Sequence, residues 1–227
     1  MFKRAIVSAL GVFALAACTS IPGLGGFSQL GSQQEIDSFL SRVADAYENV
    51  DQFRMQGDYG SGTLDYIFND GNFSYVITAE DGDAQIYKDD MFTYMGIEQD
   101  GELQWFKYDT SEDSGAADSA DLRSEMLQSL RGDDDTTQYE YVGLTSCASP
   151  SGQCQEFTMT EDGSEGTVLF GAGDNLPYSF TVTIEDADGE IEVVTVAVSY
   201  TNVPAVEIPQ EAKEAQSFQE LLEGLGQ

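Results

Sequence analysis

The sequence contains no histidine, and only nine Lys and Arg stand against 41 Asp and Glu. Without imidazole there is no Ser–His or Cys–His nucleophile pair, and the commonest general base and metal ligand are missing. A formal charge of −32 leaves no basic footprint to neutralise phosphates. That excludes nucleic acid as a partner, and charge-driven binding to anionic headgroups with it. Cysteine is scarce at three residues, and two Cys without His do not complete a zinc site. A phosphate-binding glycine loop is also lacking, since Gly171-Ala172-Gly173-Asp174 leads from one strand pattern into another rather than into a helix. With 41 carboxylates, coincidence explains any close acid pair of the glycosidase kind. The acidic clusters Asp133-Asp134-Asp135 and Glu185-Asp186-Ala187-Asp188-Gly189-Glu190 attract cations as a surface, but the second lacks the full calcium-loop pattern and falls at a hairpin turn. The reading is a non-enzyme with no cofactor and no metal.

What is present is a core. Hydrophobic residues make up 41% of the chain, including 13 Phe and 11 Tyr, which excludes intrinsic disorder despite the charge. Self-repulsion of this size destabilises the compact state at low ionic strength and is screened at molar salt. The acidity therefore points to a saline habitat.

The chain opens with two basic residues, Lys3 and Arg4, followed by an apolar or small run from Ala5 to Ala17. This is the charged start and short apolar core of an export leader, below the ~20 residues of a membrane-spanning helix. Cys18 follows Leu15-Ala16-Ala17 directly, and this stretch resembles the lipobox of bacterial lipoproteins. The resemblance implies cleavage of residues 1–17 and acylation of Cys18, which anchors the protein on a membrane. The bland alternative is a secreted protein cut after Ala17, which keeps export and loses the anchor. Thr19 rather than Asp follows Cys18, which in a double-membrane bacterium implies the outer membrane. The expected location is the cell envelope, outside the cytoplasm. In that oxidising space Cys147 and Cys154, the two remaining cysteines, are expected to form a disulfide.

Residues 18–33 read as lipidated Cys and a Gly/Ser-rich tether, and residues 34–227 as a single domain of α+β class. Ile36, Phe39, Leu40, Val43, Ala44 and Tyr47 recur at helical spacing. The period then becomes two, over 53–59, 63–68, 73–79, 84–88, 91–96 and 102–109. Asp70-Gly71, Asp81-Gly82, Asp89-Asp90 and Asp100-Gly101 mark the turns between these runs. An acidic loop and a helix over 119–131 follow, with Ser119 as cap and Gly132 as stop. Five further strands are expected over 138–146, 154–159, 167–172, 175–186 and 191–202. The pattern Gln210–Leu225 reads as a C-terminal helix.

The order of these elements resembles the LolA/LolB-like carriers and the related LprG/LppX-type lipoproteins. The match runs from ENVDQFRMQGDY through DDMFTYM, ELQWFKYD and QYEYVGLTS to LPYSFTVTI and VVTVAVSYTNVPAVEIP. The resemblance implies a curved antiparallel β-sheet, a half-open β-barrel, with helices covering its concave side around an apolar cavity. It implies the carriage of acyl chains, lipids or acylated proteins without covalent chemistry. The protruding apolar loop of a LolB-like receiver has no counterpart here, and the Cys147–Cys154 loop is extra to the pattern.

Independently of the resemblance, Leu64, Tyr66 and Phe68 share one face of their strand, and Phe73, Tyr75 and Ile77 one face of the next. Leu103 joins Trp105 in the same way. These eight residues are the candidate lining of a ligand cavity. Two readings follow. In the first, the protein is a monomeric, membrane-anchored lipoprotein that holds an apolar ligand. In the second, helices fill the same face with core, and the protein is an envelope sensor or adaptor that binds another protein.

Overall fold

The computed structural model describes residues 30–59, 62–79, 82–99, 101–109, 122–131, 137–150, 152–161, 164–185 and 191–217. The leader, Cys18, the tether up to residue 29, the Ser119 cap, Gly132, Asp133–Asp135 and the turns at Asp162-Gly163 and Asp188-Gly189 lie outside the described residues.

The elements run α1 (Gln33–Glu48), β1 (Gln52–Tyr59), β2 (Gly62–Asn69), β3 (Asn72–Ala79), β4 (Ala84–Lys88), β5 (Phe92–Gln99) and β6 (Glu102–Asp109). Then come α2 (Leu122–Arg131), β7 (Thr137–Ser146), β8 (Gln153–Glu161), β9 (Ser164–Gly171), β10 (Pro177–Glu185), β11 (Ile191–Ser199) and α3 (Gln210–Glu214). The fold is α+β. Its strands form one large, curved antiparallel sheet that does not close, in the order β6-β5-β4-β3-β2-β1-β11-β10-β9-β8-β7. Packing divides the chain into two compact units. One holds the described residues up to Asn49 and Glu125–Ala197; the other holds Val50–Ser124 and the described residues from Val198 on.

In the first unit, α1 starts in a capping box. The Ser32 hydroxyl accepts from the Glu35 amide, and the Glu35 carboxylate reaches back to the Ser32 amide. Hydrogen bonds from the Gly31 amide and from Ser32 hold the Glu35 carboxyl below its ordinary pKa. Described structure begins before residue 34, where the domain was expected to start: Ser32 is a cap, and Leu30 packs against the core. The apolar stripe Phe39, Leu40, Val43 and Ala44 is buried together with Leu130, Phe157, Val168 and Phe170. Phe39 stacks on Phe157 at 5.6 Å and meets Phe170 edge-on at 6.0 Å. Each such ring stabilises the unit by about 1.5–3 kcal/mol through burial alone. On this half of the sheet, a helix fills the covered face with ordinary core.

Cys147 and Cys154 form the expected disulfide, with Cα atoms 5.6 Å apart. It closes the β7–β8 connection and contributes about 2–3 kcal/mol on the chain-entropy model.

In the second unit, β1 to β6 form a meander. At the β2–β3 turn Asp70 and Gly71 both take positive φ, 49° and 84°, the conformation that a tight hairpin demands. The β4–β5 turn falls one residue later than expected, on Asp90-Met91. The Asp89 carboxylate accepts from the Met91 and Phe92 amides, and the Asp89 amide donates to the Phe92 carbonyl. The C-terminal helix is shorter than its sequence pattern. It stops at Glu214 because Ala215 turns extended (φ −59°, ψ 144°), and Ser217 bridges to Lys107 of edge strand β6. Sheet pairing replaces helical hydrogen bonds there. Residues 218–227 lie outside the described residues.

Candidate functional site

Register places the candidate residues. Gly62–Asn69 and Asn72–Ala79 pair so that Phe68 faces Phe73, Tyr66 faces Tyr75 and Leu64 faces Ile77. Direct antiparallel partners point to the same side of a sheet. Six of the eight candidates therefore share one face, together with Phe53 and Met55 of β1. Ring contacts follow the register: Phe53 lies 5.4 Å from Phe68 and 5.6 Å from Tyr66, and Tyr66 lies 5.8 Å from Phe73 and 6.2 Å from Tyr75.

The remaining two are elsewhere. Trp105 pairs with Gly96, Gly96 with Gln85, and Gln85 with Val76, which stands opposite Asp65. Trp105 and Leu103 thus occupy the other face of the sheet. There the indole covers Gly96 and packs 5.9 Å from Tyr87. On that same face Arg54 makes a two-point ion pair with Asp65, at 2.8 and 2.6 Å. The Tyr87 hydroxyl has its pKa raised by burial and by the Asp65 charge.

Register also brings in residues that the strand patterns did not single out. Tyr75 pairs with Ile86, Ile86 with Met95, and Met95 with Phe106. The result is an unbroken apolar row across β2 to β6: Tyr66, Tyr75, Ile86, Met95 and Phe106. Tyr66 is fully buried, whereas the other four are half-buried. A parallel row runs Leu64, Ile77, Ala84 and Ile97. The signal for these residues was present in the turns. When every hairpin turns on two residues, the face alternates between even and odd positions from strand to strand. That puts Phe106, not Trp105, beside Met95.

One end of this face is polar. The row Phe68, Phe73, Lys88, Thr93 and Tyr108 lies one pleat repeat from the apolar row. Lys88 Nζ sits 5.8 Å from the centre of the Phe73 ring, and the Arg123 guanidinium sits 4.6 Å from that of Phe68. Both are cation–π contacts. Burial raises the pKa of the Tyr108 hydroxyl.

A separate groove of about 550 Å3 opens in the first unit between α1, the end of α2 and the start of β7. Gln33, Asp37, Ser41, Arg131, Thr137 and Gln138 line it beside Leu40 and Leu130. Its polar walls suit water rather than an acyl chain. No described helix is long and apolar enough to cross a membrane.

These chemistries amount to an apolar surface with a cationic margin. The Mycobacterium tuberculosis protein LppX shares 12% identity with this chain, covering 77% of it and 99% of LppX at a TM-score of 0.47. LprF from Mycobacterium bovis shares 11% identity over 78% of this chain and 97% of its own, with a TM-score of 0.44. MucB, solved in complex with MucA(peri), shares 14% identity over 77% of this chain and 59% of its own, with a TM-score of 0.35. At these identities the likeness is one of fold only. No family model and no curated protein matches the sequence.

Proposed function

We propose that the protein is a cell-envelope lipoprotein, anchored through acylated Cys18, that binds an apolar ligand on the open sheet. The ligand class is an acyl chain, a lipid or an acylated protein, held by burial and without covalent chemistry. The observation that carries this reading is the row Tyr75, Ile86, Met95 and Phe106, four half-buried apolar side chains in direct register. Strand residues facing solvent are ordinarily polar. An apolar row continued from a buried core out to partly buried side chains has area left to cover. Covering it with a long chain yields about 0.8 kcal/mol per methylene, enough for micromolar affinity after the costs of association. The leader, the lipobox-like Leu15–Cys18 and the element order support the envelope and carrier parts of the reading.

The test is mass spectrometry of organic extracts of the protein purified from membrane-containing cells, beside a Tyr75→Asp variant that retains the wild-type circular dichroism spectrum. Stoichiometric lipid in the wild type, lost in the variant, is the expected result. A lipid-free wild-type protein would overturn the proposal in favour of the sensor or adaptor reading.

A further inference from the structure

The chain spends its few cations in an unusual way. Of nine Lys and Arg, Lys88 and Arg123 stand over Phe73 and Phe68, two rings that are direct partners across β2 and β3. Lys88 has no ion pair among the described residues, although 41 carboxylates are available in the chain. Its neighbour Asp89 is committed elsewhere, to the Met91 and Phe92 amides and the Tyr94 hydroxyl. Arg123 also donates to the Val50 carbonyl, at 3.4 Å.

A second observation falls at the same place. Thr93 is the direct partner of Lys88 on the adjacent strand, and it is fully buried. Its hydroxyl oxygen makes no hydrogen bond among the described residues. Leaving a buried hydroxyl unsatisfied is costly, and Lys88 beside it has no counter-charge among the described residues. The two groups lie side by side on one sheet face, at the end of the apolar row.

We infer that the ligand is an amphiphile with an anionic oxygen headgroup. Its tail lies along Tyr75, Ile86, Met95 and Phe106, and its head lies at Lys88 and Arg123, with the Thr93 hydroxyl as a further donor. Carboxylate and phosphate share this chemistry: both accept charge-assisted hydrogen bonds from ammonium and guanidinium groups. The spacing fits, because neighbouring rows on one face lie two residues apart along the strand, about 7 Å. The inference rests on the proposed apolar-ligand function and narrows it. It also assigns a local positive site to a protein whose overall charge repels anions, so that charge alone does not recruit the ligand and the tail must bind with the head.

The test uses the chain from Cys18 on, with Cys18→Ser to keep it unacylated, and four probes, the amphiphiles among them kept below their aggregation concentrations. These are oleate, oleoyl lysophosphatidate, neutral mono-olein and inorganic phosphate. The expected result is that both anionic amphiphiles bind about tenfold more tightly than mono-olein, the worth of one charge-assisted contact. The Lys88→Met variant, which keeps the aliphatic stem over Phe73, is expected to lose that tenfold while binding mono-olein unchanged. Whether oleate or lysophosphatidate binds more tightly identifies the headgroup source. Equal binding of all three amphiphiles, or an equal loss for all three in Lys88→Met, would overturn the headgroup site and leave the apolar site standing. Binding of inorganic phosphate as tight as that of lysophosphatidate would overturn the amphiphile claim. Absence of binding by any amphiphile would overturn the inference together with the function it rests on.

Discussion

Tyr66 and Tyr75 face each other across β2 and β3 with ring centroids 6.2 Å apart, yet Tyr66 is fully buried and Tyr75 half-buried. The pair marks where the core of this unit gives way to surface. Inward of it, Tyr66 packs on Phe53 and Phe73. Outward of it, the row continues through Ile86, Met95 and Phe106, all partly buried. The same type of side chain, one strand apart, therefore serves two purposes.

Substitutions separate the purposes. Tyr66→Ala is expected to destabilise the fold by about 3–5 kcal/mol, the usual cost of emptying a buried aromatic site. Tyr75→Ser is expected to cost about 1 kcal/mol while weakening an apolar ligand severalfold. Urea denaturation and a fatty-acid titration of both variants check the two halves.

Gly96 lies under the indole of Trp105. A Cβ at Gly96 would come within 2.8 Å of the ring, closer than real contacts allow. Gly96→Ala is therefore expected to push the indole outward at a cost of about 1–3 kcal/mol. Trp105 is the single tryptophan, so a red shift of its emission reads the displacement directly. Unchanged emission with unchanged stability would mean that the indole does not rest there.

Alkaline pH tests the Tyr94–Asp89 contact. The Tyr94 hydroxyl donates to Asp89 at 3.1 Å, and burial first, then the Asp89 charge, push its pKa from 10.0 up to about 12. The folded state holds this proton more tightly than the unfolded state. The contribution is thus whole below pH 10 and is lost as pH climbs from 10 towards 12. The Tyr94→Phe variant should show a shallower fall of stability over that window than the wild type, measured by denaturation at each pH. An identical slope in both would remove the contact from the account.

Salt should stabilise the protein. With a formal charge of −32, the folded chain repels itself at low ionic strength. The thermal midpoint is expected to rise between 10 mM and 1 M sodium chloride, where the screening length shortens from about 30 Å to about 3 Å. A flat or falling midpoint would show that self-repulsion is not a material term.

Much of this fold was legible because its turns carry strong local chemistry. Asp-Gly pairs between alternating runs located the strands to within a few residues, and the helical spacing of Phe39, Leu40, Val43 and Ala44 gave α1 and its buried stripe. The order in which β1 and β11 enter the sheet was not legible, since nothing local encodes a pairing between distant segments. The candidate face was legible in part. Alternation groups Leu103 with Trp105 correctly within β6, but it cannot say which side of the sheet that group takes. Strand β6 carries Trp105, Phe106 and Tyr108, large apolar side chains on both faces, so composition gives no preference. Turn length decides it, through the parity that places Phe106 with Met95. The C-terminal helix misled for a different reason. Its amphipathic pattern continues beyond Glu214, but the edge of β6 competes for the backbone at Ser217.

The central claim is that an apolar ligand lies on the face bearing Tyr75, Ile86, Met95 and Phe106. The measurement that tests it most directly is photo-crosslinking with a diazirine-bearing fatty acid, mapped by peptide mass spectrometry. The account predicts adducts on those four residues and on Leu64 or Ile77, with none on Leu103 or Trp105 across the sheet. Adducts centred on Trp105, or on the polar groove beside Arg131, would contradict it.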